Sequence, residues 1–266
     1  MDIEISAAQM KKLRASISLD TRINTRIDER DEIFAFLASR SRSEDDPITA
    51  YFHSGQNAFH CLLRSLHDVG RSLGQTAHLL EFACGYGRVT RHILRALPPS
   101  RIDVSDIIPS AVCFQRSVFG VNAILSRKSP DEMVFPRQYD VIFVASLFSH
   151  LPERLWTSWL RMLHGALAPD GLLIFSVHGP RCLPGTQSMP ESGFLYLRSS
   201  ESKVLDAESY GTTYVTVEFV NNQIERTAGL PRIGFYEQGI WSYQDVYVVG
   251  NISTFERELV AGGRRR

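Results

Sequence analysis

Two glycines and one acid carry most of the chemistry that this sequence offers. Gly85 and Gly87 stand either side of Tyr86, directly after the short apolar run 79–83 with its internal acid, Glu81. A Gly-x-Gly turn between a strand and a helix lets the backbone come close to a ligand, and the helix start presents unpaired N–H groups. Several cofactor classes use such a cradle. The dinucleotide fingerprint needs a third glycine where this chain has Thr90, and no Lys-Ser or Lys-Thr pair follows to make a phosphate loop. Asp106 ends the next apolar run, 19 residues beyond Gly87, at the reach where a carboxylate meets a ribose diol. A helix N-cap is the alternative use of an acid there. His150 and His178 follow the fourth and fifth apolar runs and are candidate general bases. Each can equally be a packing or capping residue.

These residues need a scaffold that brings run ends together. The runs 79–83, 101–107, 121–125, 139–146 and 172–178 are nearly all apolar. They alternate with helix-length stretches at about 87–97, 109–118 and 152–167. Such runs suit strands buried on both faces of a parallel sheet. Two late runs, 233–241 and 243–249, are close enough in sequence to pair antiparallel. The expected fold is therefore α/β: a Rossmann-like doubly wound, mostly parallel seven-stranded sheet with an antiparallel last strand.

Ahead of this core, Arg22, Arg26 and Arg30 are spaced by four, with Ile23, Ile27, Phe34 and Leu37 at roughly helical intervals. This predicts one or two amphipathic helices before Asp46-Pro47 breaks the segment. Asp28, Glu29, Asp31 and Glu32 lie among the arginines and make a solvated, self-paired face the favoured reading. Residues 51–69 predict a further helix with Phe59, Leu62, Leu63 and Leu66 on its apolar side. Residues 179–211 are rich in Gly, Pro and Ser yet hold Phe194, Tyr196 and Tyr210, which suits a long connection or flap. Thr216 is placed to cap a short helix, and 251–266 reads as a C-terminal tail.

Composition narrows the partners. The 266 residues carry 29 basic and 29 acidic side chains, a net charge of zero, so no global field draws the chain to nucleic acid or to an anionic membrane. The four cysteines form no Cys-x-x-Cys pair, which fits a reduced chain with no metal site. No signal-peptide pattern opens the sequence, and no apolar run is long enough to cross a bilayer. A cytoplasmic location is expected.

In this order the segments resemble class I S-adenosylmethionine-dependent methyltransferases of the bacterial small-molecule type. Glu81-Phe82-Ala83-Cys84-Gly85-Tyr86-Gly87 is similar to the first motif of that family, and the continuation Arg88-Val89-Thr90 is common in it. Asp106 to Pro109 matches its second acid followed by x-x-Pro. The stretches YDVIFVASLFSHLP and LAPDGLLIFSVHG resemble its fourth- and fifth-strand segments. The resemblance implies S-adenosylmethionine as cofactor and S-adenosylhomocysteine as product. It implies that Gly85 and Gly87, with the flanking Ala83 and Arg88, lie against the methionine part. Glu81 would orient the loop, either purely as a brace or through water to the cofactor amino group. Asp106 would take the ribose hydroxyls, Ile107 would cover one adenine face, and Ala145 would offer its carbonyl to the amino group. Family members often place an acid after the third strand to accept from adenine; here that place falls at Ser129, followed by Pro130 and Asp131. Tyr51 to Phe59 resembles a Tyr-x-x-Ser-Gly stretch that closes over the cofactor, which brings Tyr51 and Gly55 into the expected site. A simpler use of Ser54 is as a helix N-cap.

The resemblance divides the chain into an N-terminal helical segment (1–75) packed on the core and covering the cleft, a core (76–250) with 179–211 as insertion or lid, and the tail. It implies methyl transfer to an O or N atom of a small polar molecule by in-line displacement, with His150 or His178 as base. DNA amino-methyltransferases show Asn/Asp-Pro-Pro-aromatic after the fourth strand, where this chain has Ala145-Ser146-Leu147-Phe148. Protein methylation and non-catalytic cofactor binding stay open; a nicotinamide enzyme is disfavoured by the missing third glycine.

Overall fold

The computed structural model describes residues 2–41, 45–200, 202–228 and 232–250. The expected tail, 251–266, lies outside them. Three helices open the chain: α1 (Ala7–Ile17), α2 (Glu32–Arg40) and α3 (Asp45–His67). The core follows as β1 (Leu79–Phe82), α4 (Thr90–Ile93), β2 (Ile102–Asp106), α5 (Pro109–Phe114), β3 (Asn122–Leu125), β4 (Tyr139–Val144), α6 (Glu153–Gly165) and β5 (Leu167–Val177). A small hairpin sheet of β6 (Phe194–Leu197) and β7 (Thr212–Val215) comes next, then α7 (Val217–Ala228), β8 (Arg232–Ile240) and β9 (Gln244–Gly250).

The main sheet has seven strands in the order β3-β2-β1-β4-β5-β9-β8. The first five are parallel, and β9 runs antiparallel between β5 and β8. This is the fold expected from the apolar runs. Chain order reverses between β1 and β4, so their carboxyl ends diverge and open a crevice. One sheet face packs under α3, α4 and α5; the other packs under α6 and α7, with Trp156, Trp159 and Phe219 in that core. β5 starts earlier than the run 172–178 because Tyr139 pairs with Leu167 and Val141 with Leu172, leaving Pro169-Asp170-Gly171 looped out of register.

The N-terminal part departs from the helical reading. Arg22, Arg26 and Arg30 are not on a helix; each pairs with an acid, respectively Asp20 at 2.8 Å, Asp2 at 2.6 Å and Asp28 at 2.7 Å. The self-paired character holds, but residues 18–31 turn and extend so that Ile23 and Ile27 can bury against Leu13, Ile48, Tyr51 and Phe52. Four-residue spacing alone could not distinguish that turn from a helix. Asp46-Pro47 does not break the chain; it sits in the first turn of α3, where a missing proline N–H costs nothing. Ser54 is consequently mid-helix, its hydroxyl donating to Tyr51 O at 2.8 Å, and is no N-cap. α3 sends Phe59, Leu62 and Leu66 into the core beneath the sheet. Thr216 does cap α7, accepting from Phe219 N at 3.1 Å.

Candidate cofactor and acceptor cleft

The loop after β1 is held from below. The Thr90 hydroxyl donates to Glu81 Oε2 at 2.6 Å, and Gln115 Nε2 donates to Thr90 Oγ1 and to Gly85 O. Glu81 is buried, and burial pushes its carboxyl up to about 8 despite the Thr90 bond. It faces this network and does not line the cleft, so the bracing role is the one its contacts support. From the side, the buried guanidinium of Arg91 donates to Gly87 O at 2.8 Å and to the carbonyls of Asn24 and Arg26 at 3.0 Å, bolting the N-terminal turn to the loop.

The two glycines do different work. Gly85, at φ +52, borders the cleft, and a Cβ there would meet nothing within 4 Å. Gly87, at φ +80, does not border it; a Cβ there would stand 2.3 Å from the Phe119 ring. Its missing side chain makes room for Phe119. Gly55 is also a packing glycine outside the cleft, where a Cβ would strike Arg88 O and His92.

Asp106 ends β2 at the cleft wall, with Oδ2 accepting from Gly85 N at 2.7 Å and Oδ1 from Ile108 N at 2.9 Å. Burial raises its carboxyl and these amides pull it back down. Ile107 and Ile108 line the cleft beside it, and beyond β3 the lining residues are Ser126, Arg127 and Lys128. Ser129 falls outside the cleft as the cap of a short 3-10 turn, because β3 ends at Leu125 and the chain turns away. Ala83 and Ser146, at φ 59 and 70, sit past the ends of β1 and β4 on the cleft, and Ala145 lies between β4 and Ser146. Non-glycine residues in this conformation are uncommon and cluster at functional sites.

Tyr51 does not face the cleft. It is fully buried, its hydroxyl donating to Asp31 Oδ2 at 2.6 Å, and Asp31 takes the cleft-wall position instead. Sequence reasoning put Asp31 in a solvated row. The missed signal was its N-cap position before α2, where it accepts from Ile33 N and Phe34 N.

His150 and His178 lie close together, ring centroids 5.9 Å apart, but have different surroundings. His150 lines the cleft, and Tyr210 stacks on it at 4.5 Å and 15°. Its Nδ1 is 2.8 Å from Gly211 O, which sets the proton on Nδ1 and makes Nε2 the basic nitrogen. His178 is off the cleft. Its Nδ1 donates to Thr213 O, its Nε2 accepts from Gln244 Nε2 at 3.2 Å, and burial beside His150 pulls it down to about 4. With its accepting nitrogen used, His178 ties the end of β5 to β7 and β9, which favours His150 of the two candidate bases.

The 179–211 segment divides in two. Phe194 buries in the core against Phe219, while Ser202, Val204, Leu205, Asp206, Ser209 and Tyr210 border the cleft. Glu32 fastens that stretch by accepting from Ser202 Oγ and Lys203 N, both at 2.6 Å. Among the described residues no cluster of acids, histidines and cysteines could hold a metal, and no helix is long and apolar enough to cross a membrane.

Residues 80–173 match the family described as a methyltransferase domain. That span holds the loop, Asp106 and the strands on both sides of the crevice. Over that span the chain is similar to the S-adenosylmethionine-dependent methyltransferases. A relative of this chain is a malonyl-[acyl-carrier protein] O-methyltransferase of Porphyromonas gingivalis, 26% identical over 148 residues covering 55% of this chain and 56% of the relative. The chain thus spans about half the length of the curated relatives it matches. Among solved structures, a sugar N-methyltransferase from Streptoalloteichus superposes with a TM-score of 0.56 at 13% identity, covering 85% of this chain and 96% of that one. An S-adenosylmethionine-dependent methyltransferase from Clostridium acetobutylicum gives 0.55 at 11% identity, covering 74% and 92%. At these identities the neighbours bear on the fold alone.

The lining of the cleft suits S-adenosylmethionine. A buried carboxylate ends β2, isoleucines flank it, and open space borders the Gly85 α-carbon.

Proposed function

We propose that this protein binds S-adenosylmethionine in the described cleft and methylates an oxygen or nitrogen of a small polar molecule. Asp106 holds the ribose hydroxyls, Ile107 and Ile108 cover the adenine, and Ser126 stands where a polar partner for the ring is needed. Gly85 and the Ala145 carbonyl border the methionyl part. When bound, the cofactor supplies a methyl group already activated by its sulfonium, which leaves S-adenosylhomocysteine after in-line displacement. The chain's task is to aim the acceptor, exclude water and remove its proton.

His150 carries the reading. It lies beside the end of β4, on the cleft, with Nδ1 committed to Gly211 O and Nε2 the nitrogen that takes a proton. Gly211 N also donates to His150 O at 2.9 Å, so backbone and ring are both fixed to the strand that follows the insertion. The stretch 202–210 and the N-terminal segment serve as covers that shape the acceptor end. The curated relatives are O-methyltransferases, which supports oxygen as the acceptor atom.

The test is label transfer from methyl-labelled S-adenosylmethionine to a metabolite extract, followed by isolation of the labelled product. His150→Gln should keep S-adenosylhomocysteine affinity and lose turnover by about 100-fold, within the range for a general base. Full turnover in that variant removes the base assignment. Tight cofactor binding with no labelled product from any fraction would favour the second reading, a non-catalytic cofactor-binding module. The absence of an acid among Ser126, Arg127 and Lys128 past β3 is the observation on that side.

A further inference from the structure

Arg88 is the cation that the cleft does not account for. It follows Gly87, borders the cleft, and is enclosed enough for burial to pull its guanidinium below its usual value. Its Cζ sits 4.5 Å over the Trp241 ring, and among the described residues its side chain makes a long 3.4 Å hydrogen bond from Nη1 to Ser54 Oγ. Among the described residues, no carboxylate lies within ion-pair distance of it. Arg91, three residues on, shows the contrast: its donors are spent on Gly87 O, Asn24 O, Arg26 O, Tyr86 O and Tyr51 Oη.

The acids nearest the cleft are engaged elsewhere. Asp31 accepts from Tyr51, Ile33 and Phe34, and Glu32 accepts from Ser202 and Lys203. Asp106 accepts from Gly85 and Ile108, Asp206 from Glu208 N and Ser209 Oγ, and, behind the cleft, Glu81 from Thr90. Burial raises the carboxyls of Asp31, Asp106 and Glu81, and Asp31 and Glu81 act on Arg88 from beyond ion-pair distance. Arg127 and Lys128 are exposed and lie past β3, at the nucleoside end. Arg88 lies toward Tyr210, whose ring stacks on His150.

Building on the function proposed above, we propose that Arg88 anchors an anionic group of the methyl acceptor, a carboxylate held by the planar guanidinium, and thereby selects acidic acceptors. A half-buried guanidinium with no carboxylate at ion-pair distance keeps donors for a bidentate ligand anion. The anchored carboxylate is not the methylated atom, because pairing with a cation lowers a nucleophile's reactivity. The nucleophile lies toward His150, and the Trp241 face keeps the guanidinium plane from rotating away.

A carboxylate could reach Arg88 from either of two sources, the acceptor or the methionyl end of the cofactor, and the experiment separates them. Benzoate and its neutral counterpart benzamide are titrated by ligand-observed NMR into protein saturated with S-adenosylhomocysteine. Wild type, Arg88→Met and Arg88→Lys are compared, with S-adenosylhomocysteine affinity measured by calorimetry in each. The expected result is at least a fivefold preference for benzoate in wild type. That preference should vanish in Arg88→Met and return in part in Arg88→Lys, with S-adenosylhomocysteine affinity within threefold throughout. No preference in wild type, or an unchanged preference in Arg88→Met, overturns the proposal. So does a tenfold loss of S-adenosylhomocysteine affinity in Arg88→Met, which would assign the guanidinium to the cofactor. Failure of wild type to bind S-adenosylhomocysteine at all removes the function proposed above, and this inference with it.

Discussion

Replacing each glycine of the loop by alanine should give opposite kinds of damage. In Gly87→Ala the backbone stays at φ +80, where an alanine costs roughly 1–2 kcal/mol. The new methyl would lie 2.3 Å from Phe119 Cε2, in a ring that is itself buried, and overpacking of this kind adds about 1–3 kcal/mol. The sum, about 2–5 kcal/mol, corresponds to a fall of about 4–20 °C in melting temperature for a chain of this size. Gly85→Ala carries only the conformational cost, since nothing lies within 4 Å of its added methyl. It should melt only about 2–8 °C lower but bind S-adenosylhomocysteine at least about tenfold more weakly, near 1.4 kcal/mol, because the methyl enters the cleft. Differential scanning fluorimetry and calorimetry read the two effects. The double variant Gly87→Ala/Phe119→Ala adds a check: it should be less destabilised than the sum of the singles by about 1–3 kcal/mol, since the clash is gone. If Gly87→Ala melts within about 2 °C of wild type, or the double variant is strictly additive, the assignment of Gly87 to packing is wrong.

Asp106→Ala should weaken S-adenosylhomocysteine binding by roughly 1.5–3 kcal/mol in a folded protein, read by calorimetry, and unchanged affinity would defeat the ribose assignment. Burial raises Glu81 to about 8 in the folded chain from its ordinary value of 4.5, so the stability it lends is full below about 4.5 and is lost as pH climbs toward 8. Glu81→Gln removes this titration. Its melting temperature relative to wild type should therefore rise between pH 5 and pH 8, and a flat difference would mean that Glu81 stays ionised. Phe194→Ala should cost about 3–5 kcal/mol of stability as a buried aromatic. Tyr210→Ala should leave melting closer to wild type and reduce methyl transfer; the reverse pattern would remove 202–210 from the acceptor end.

The sequence by itself determined the sheet, the loop and the identity of the acid beside it. Nearly continuous apolar runs have few structural uses, and Gly85, Gly87 and Asp106 fall at run ends where chain direction must change. Period and spacing are local quantities, so they are readable without coordinates. What each loop residue touches is not local. Gly87 and Gly85 look alike in sequence, and only the return of α5 toward β3 puts Phe119 against one and open space against the other. His150 and His178 each follow a strand, yet His178 takes Gln244 from the far end of the chain on its accepting nitrogen, while His150 lines the cleft. Tyr51 and Asp31 exchange their expected places because residues 18–31 turn in order to bury Ile23 and Ile27, a choice made by the core they join and not by their spacing. Arg88 and Arg91 differ by one helical turn. Tertiary packing spends every donor of Arg91 on neighbouring carbonyls and a tyrosine, while Arg88 meets the N-terminal segment through a long contact to Ser54 and faces the cleft.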